Sequence, residues 1–326
     1  MRVLAVANWN PATTRSAWPS ERLRALAAAG VEVDLLARDC VRDRREYFGL
    51  WRDLNRRLAT GRYDLVAPLY GSFLGLLCTL QRRVPCAISF AGSDLNGPPR
   101  LVSLRSLSRP ASQLSAALAA GVSVHSARMR RALWWPPARQ RAHVLFDGVD
   151  VERFVPRGRT QARRHRGVRT DGIRILFVAV NPERRPTKRL PLAQAAVARL
   201  SGARLEVASA VPFDEMPWVY ASADALLLTS HAEGSPNCVK EALACGVPVV
   251  STDVGDVREV LDGLPPCAVV DPDPDRIAAA LGAIVADGRG CPGGPARIAE
   301  RYSQPAAAQR FVRFFDDALD VRPPRQ

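Results

Sequence analysis

Two glutamates, Glu233 and Glu241, stand eight positions apart in the stretch HAEGSPNCVKEA (231–242), with a Gly-Ser-Pro turn and a lysine between them. A carboxylate accepts two hydroxyl donors at once, which suits the vicinal diols of sugars and riboses. The turn has the residues of a helix start: Ser235 is a good N-cap and Pro236 suits the first helical position. The backbone N–H groups of Asn237, Cys238 and Val239 would then be free. Together with the partial positive charge of a helix start, they suit a diphosphate. Gly234 lets a ligand approach the backbone closely. A plainer reading, a capped helix beside a surface glutamate, fits the same residues.

A second anion feature lies upstream. The chain has only two lysines, Lys188 and Lys240; all its other cationic side chains are arginine. A lysine kept in so arginine-rich a chain is one needed as a compact charge on a flexible stem, which suits a phosphate. Arg184, Arg185 and Lys188 sit in NPERRPTKR (181–189), directly after the apolar run IRILFVAV (173–180). A basic loop at the carboxyl end of a strand is where an α/β sheet binds phosphate. An exposed arginine-rich loop is the bland alternative. The four histidines are scattered, so no metal site is expected. The seven cysteines include no Cys-x-x-Cys pair and read as buried free thiols of a reducing compartment.

The elements that would carry these residues alternate. RVLAVAN (2–8), VEVDLLA (31–37), YDLVAPLY (63–70) and PCAISFAG (85–92) are predicted strands. SERLRALAAAG (20–30) and GSFLGLLCTLQRR (71–83) are predicted helices, and 112–133 reads helix, strand, helix. After a basic, aperiodic stretch, RGRTQARRHRGVRTDG (157–172), read as an interdomain connection or long loop, the alternation resumes. It runs through IRILFVAV (173–180), LPLAQAAVARL (190–200), ARLEVASA (203–210), PWVYASA (217–223) and DALLLTS (224–230) to an amphipathic helix over 303–319. Strands alternating with helices predict parallel sheets covered on both faces. With 326 residues the chain is long enough for two such domains of about 150 residues each.

No apolar run reaches the roughly 18–20 residues of a membrane span, and MRVLAVANWNP reads as a first strand rather than a signal peptide. A cytoplasmic protein is the expectation. The net charge of +14 is uneven: residues 1–200 carry 35 Lys and Arg against 14 acids, whereas residues 201–326 carry 11 against 18. A basic front half suits an anionic membrane surface or a phosphorylated partner. Only 6% of the residues are aromatic and no nucleic-acid motif accompanies the charge, so no nucleic-acid partner is expected.

The segment EGSPNCVKEALACGVPVVSTDVGDVREVL (233–261) resembles the Glu-x7-Glu signature of family 4 retaining glycosyltransferases, which have the GT-B fold. Asp224 with Ser230, DGVDVERFVP (147–156), FAGSDL (90–95) and GVSVHSARMRRAL (121–133) resemble further segments of that family. The resemblance implies two Rossmann-like β/α/β domains facing across a cleft. Residues 1–156 would form the acceptor-side domain, 157–305 the nucleotide-sugar domain, and 306–326 a helix and tail packing back toward the first. It implies transfer of a sugar, with retention, from a nucleoside diphosphate sugar to a glycan, lipid-linked or cell-envelope acceptor. Glu233 would contact the donor sugar as the catalytic residue, Glu241 the ribose, and Lys188 with Arg185 the diphosphate. Gly234, Ser235, Pro236, Asn237 and Cys238 would line the donor pocket. Arg15, Ala91 and Asp94 would lie on the acceptor side, with Ala91 where members often carry a histidine. The cations would fill the role that a metal fills in other transferases, so no metal cofactor is expected. A sugar-nucleotide epimerase and a non-catalytic donor-binding homologue are the alternative readings.

Overall fold

The computed structural model describes residues 1–9, 18–40, 43–96 and 107–321. Contacts divide the chain into two units: Met1–Phe146 with Pro305–Gln326, and Asp147–Gln304.

In the first unit β1 (Arg2–Ala7) is an apolar run that is buried from Val3 onward. Such a strand belongs inside a parallel sheet covered on both faces. It is followed by α1 (Trp18–Ala28), β2 (Glu32–Ala37), α2 (Glu46–Thr60), β3 (Leu65–Pro68), α3 (Ser72–Leu80) and β4 (Ala87–Phe90). Then come α4 (Ser93–Asn96), α5 (Ser108–Leu118), β5 (Gly121–Val124), α6 (Ala127–Arg131), α7 (Pro136–Arg141) and the short β6 (His143–Val144). The strands pair in parallel as β2-β1-β3 and β4-β5-β6, and a parallel bridge between Val66 and Cys86 joins the two sets.

The sequence reading omitted α2. Its apolar stripe is narrow: Leu50, Leu54 and Leu58 repeat every four residues and are buried, among arginines that stay in solvent.

The second unit holds α8 (Arg159–His165), β7 (Ile173–Val178), α9 (Leu190–Val197), β8 (Ala203–Ala208), α10 (Met216–Ala221), β9 (Ala225–Leu228) and α11 (Asn237–Ala244). It continues through β10 (Val249–Thr252), α12 (Val257–Leu261), β11 (Ala268–Val270), α13 (Pro274–Asp287) and α14 (Gly294–Arg301). Its five parallel strands run in the order β11-β10-β9-β7-β8. The chain therefore leaves β7 toward β8 on one side and returns to β9 on the other. The loops after β7 and β9 diverge around a topological switch point, where open α/β sheets bind ligands.

Two expectations change. The basic stretch 157–172 contains a helix, α8, and packs as part of the second unit. Its arginines are used as anchors: Arg163 is buried, donating to Asp224 Oδ2 at 2.7 Å and to the Ser222 carbonyl at 2.9 Å. Arg166 reaches Glu206 Oε1 at 2.5 Å. An element held by guanidinium–carboxylate pairs has no apolar period to read. Residues 147–156, which the sequence reading placed in the first domain, pack with the second unit. The Val149 N–H donates to the Tyr302 carbonyl, and the Gln304 N–H donates back to that of Val149, at 2.8 and 2.9 Å. A Cβ on Gly148 would come within 2.5 Å of Gln304 Cα, so the chain passes here only as glycine.

The last helix, α15 (Gln304–Asp320), belongs to the first unit from Pro305 onward. Phe311, Phe314, Phe315 and Ala318 join Val3, Leu26, Val31 and Leu65 in one of its buried clusters.

Candidate functional site

The loop after β7 is a pair of 3-10 turns, Pro182–Arg184 and Pro186–Lys188, each opened by proline. It is fastened to the loop after β9 from several directions. Arg189, at φ +50°, donates to the carbonyls of Thr229 and Ser230, both at 2.7 Å. Thr229 Oγ1 donates back to the carbonyls of Lys188 and Arg189, and the His231 N–H donates to Thr187. These bonds bring the two predicted anion features together. Lys188 Nζ lies 2.6 Å from Glu233 Oε1, with both side chains mostly shielded. Arg184 and Arg185 are exposed on the same loop.

Helix α11 begins one residue later than expected. Pro236 is its N-cap, with φ −73° and ψ 111°, and no side chain caps it. Ser235 does other work: its hydroxyl donates to Asp256 Oδ2 at 2.6 Å and accepts from Lys240 Nζ at 3.1 Å. Lys240 is fully buried and also donates to the Asp147 carbonyl at 2.8 Å. The second lysine of the chain is thus a buried strut beneath the Glu233–Ser235 turn, not a solvent-facing phosphate ligand. Burial pushes the Lys240 ammonium below the ordinary lysine range against the pull of Asp256 and Asp147, and pushes the Asp256 carboxyl up. A second support is steric. Gly255, at φ +58°, lies so near the turn that a Cβ there would meet the Gly234 carbonyl oxygen at 2.5 Å.

Glu241 projects from α11 four residues into the helix, and its Oε2 accepts from the Tyr220 hydroxyl at 2.6 Å. Burial raises its carboxyl above the ordinary value, opposed by the Tyr220 bond and by Lys240. Cys238 is also pushed up, to about 12, chiefly by burial. Among the described residues, three buried polar atoms at this edge have no hydrogen-bond partner: Ser230 Oγ, Asn237 Oδ1 and Asp256 Oδ1. Orphaned buried acceptors are rare, and at a concave site they mark places for a ligand's polar groups. The Val239 N–H, expected to be free, donates to the Pro236 carbonyl at 3.2 Å, because the helix starts one residue later. Carboxylates, a lysine and the first residues of a helix at one sheet edge can hold a molecule that carries both hydroxyls and phosphates.

Residues 162–287 match the family model described as Glycosyl transferases group 1. That match lies wholly within the second unit. The family 4 resemblance read from the sequence therefore holds. The D-inositol 3-phosphate glycosyltransferase of Frankia alni is 32% identical over 177 residues, 43% of this chain and 44% of that protein. The protein of that name from Geodermatophilus obscurus is 31% identical over 219 residues, 56% of this chain and 48% of that one. The chain spans about half the length of the curated relatives it matches. Among solved structures, sucrose-phosphate synthase from Thermosynechococcus elongatus aligns with a TM-score of 0.81, over 99% of this chain and 100% of that one, at 16% identity. Anabaena HepE in complex with UDP aligns with a TM-score of 0.74, over 97% and 100%, at 15% identity. At such identities the likeness speaks for the fold, which is GT-B.

The residues expected on the acceptor side belong to the first unit. Arg15 lies outside the described residues. Ala91 is half-buried, and its N–H donates to Asp94. Asp94 is almost wholly buried, and its carboxylate takes three backbone N–H groups, from Gly71, Ala91 and Gly92 at 2.8–3.1 Å. Burial raises this carboxyl while those three bonds oppose the rise. Its geometry is that of a fastener between the ends of β3 and β4.

Around the second unit's loops, sequence reasoning missed Arg189, Thr229, Tyr220, Asp256 and the strut role of Lys240. None has a motif of its own. The one available signal was the survival of lysine at position 240.

Proposed function

We propose that the chain transfers a sugar, with retention at the anomeric carbon, from a nucleoside diphosphate sugar to an acceptor. The observation that carries this reading is the meeting of Lys188 and Glu233, 2.6 Å apart, at the switch point beside the start of α11. In it, Lys188, Arg185 and the α11 N–H groups hold the diphosphate and offset the charge that grows on it as the glycosidic bond breaks. Glu233 accepts hydrogen bonds from the sugar hydroxyls, and Glu241 from the ribose diol. Ser230 and Asn237 offer their partnerless oxygens to the same ligand. The reading assigns leaving-group stabilisation to these cations and needs no metal, so turnover is expected to survive a chelator.

For the acceptor we propose a phosphorylated or lipid-linked glycan or cell-envelope precursor, met at an anionic membrane surface on the cytoplasmic side. Two facts favour it: the relatives are named for a phosphorylated polyol, and the first unit carries 26 arginines against 12 acids.

The test is calorimetry with UDP and other nucleoside diphosphates. Lys188→Ala is expected to weaken binding by more than about 1.5 kcal/mol, the scale of a lost charge-assisted bond. Unchanged affinity in that variant would refute the assignment.

A further inference from the structure

Away from the proposed donor site, two thiols of the second unit stand in contact. Cys267, just before β11, is partly exposed, and Cys291, between α13 and α14, is buried. Their sulfurs are 3.7 Å apart, with the Cys267 S–H donating to Cys291. The Cys267 sulfur also accepts the Val249 N–H at 3.3 Å, and the Cys291 N–H donates to the Gly246 carbonyl at 2.8 Å, so both ends are fixed to the fold.

A cleft of about 360 Å³ bounded by Arg157, Arg159, Arg289, Cys245 and Pro292 reaches Cys291. A second cleft of about 340 Å³ lies beside it against Pro265 and Pro266, the residues that precede Cys267. Small molecules thus have an approach to the pair. Cys40, Cys78, Cys86, Cys238 and Cys245 are all pushed up by burial, and Cys267 is pushed up by its bond to Cys291 and by burial. Cys291 is held below the ordinary thiol value by the hydrogen bond it receives from Cys267, with Arg297 helping.

We propose that Cys267 and Cys291 are a peroxide-sensitive dithiol that closes reversibly to a disulfide. The Cys291 thiolate attacks one oxygen of hydrogen peroxide. The O–O bond breaks, giving a sulfenic acid and a hydroxide that takes up a proton. Cys267 then loses its proton and attacks the Cys291 sulfur, and the S–O bond breaks with hydroxide leaving as water. Two thiols and one peroxide give one disulfide and two waters, and a thiol reductant reverses the change. The bond forms between preplaced atoms, so it needs a local approach of the two sulfurs and no unfolding. It would close a loop of 24 residues around β11 and α13, which constrains the unfolded chain.

The experiment uses the full chain treated with a small excess of hydrogen peroxide, then alkylated and mass-mapped. Expected are a mass loss of about 2 Da, for two hydrogens, a linked Cys267–Cys291 peptide, and restoration by a phosphine reductant. Oxidised protein should melt higher than reduced protein. C267S should stop at a Cys291 sulfenic acid trapped by dimedone, whereas C245S should still form the link. Alkylation of all seven cysteines after treatment, a Cys245–Cys291 link, or direct passage of wild-type Cys291 to sulfinic acid would overturn the proposal. Nucleotide binding plays no part in these readouts, so they stand or fall apart from the proposed transferase activity.

Discussion

Lys240 shows how far burial can change what a side chain does. Its ammonium has no access to solvent and is held by the Asp147 carbonyl, Ser235 and the charge of Asp256. Removing one member of such a buried set leaves the others uncompensated, so Lys240→Ala is expected to cost about 3–5 kcal/mol, read as a fall in denaturation midpoint. If the strut holds the Glu233–Ser235 turn, the loss should also weaken UDP binding, whereas a strut serving stability alone would leave UDP affinity unchanged. Glu241 allows a prediction in pH. Its folded carboxyl is raised above the ordinary value of 4.5, so the folded chain keeps a proton that the unfolded chain has released. The stability this contributes is full below about pH 4.5 and declines as pH rises through the raised folded value. Glu241→Gln removes that decline while keeping an acceptor for Tyr220. We expect a higher Tm near neutral pH, a gain that shrinks toward pH 4, and UDP binding weakened about tenfold. A Tm difference independent of pH would count against the burial argument.

At the scale of elements, the helices differ in how they are held. Strands β1, β3, β4, β9 and β10 and helices α3, α9, α13 and α15 announce themselves by apolar runs or periodicity, because dry packing holds them. Helix α8 does not, because ionic contacts hold it. Arg163→Ala should therefore cost about 2–3 kcal/mol, since it takes one guanidinium from the mostly shielded Asp224 carboxylate, which keeps Arg159 and the Arg174 N–H, and strips the carbonyls of Thr170, Gly172 and Ser222 of a donor. Helix content and the chemical denaturation midpoint would check this; a change within about 0.5 kcal/mol, as at an ordinary surface position, would mean that α8 is merely apposed. The start of α11 carries a smaller lesson. The pairing of serine and proline predicted a cap at Ser235. The hydroxyl found a stronger acceptor in Asp256, 21 positions away, so the cap moved to Pro236.

At the scale of the whole molecule, charge follows the units rather than the halves of the sequence. The unit that takes in both termini carries 26 arginines against 12 acids, and the unit between has 20 cations against 20 acids. All of the net +14 therefore belongs to the first unit. We expect flotation with vesicles containing anionic lipid, falling steeply with salt as screening shortens electrostatic reach; equal recovery with neutral vesicles would exclude this attraction. The same unit depends on α15. Truncation after Ser303 would strip Phe311, Phe314 and Phe315 from its core. At about 2–3 kcal/mol for each buried aromatic, the first unit should lose its cooperative thermal transition.

The sequence by itself determined the strand–helix alternation, the pair of glutamates around a turn, and the basic loop that precedes them. Apolar periodicity and short-range turn chemistry are local properties, written within a few residues of where they act. Only the tertiary structure decided that Lys188 meets Glu233 across 45 positions, that Lys240 is a strut and not a ligand, and that Asp94 fastens backbone between two strands. It also decided that Cys267 and Cys291 touch. Those outcomes rest on strand order and burial, which bring together residues far apart in the chain and change the cost of their charges. A single sequence carries no short-range signal for either.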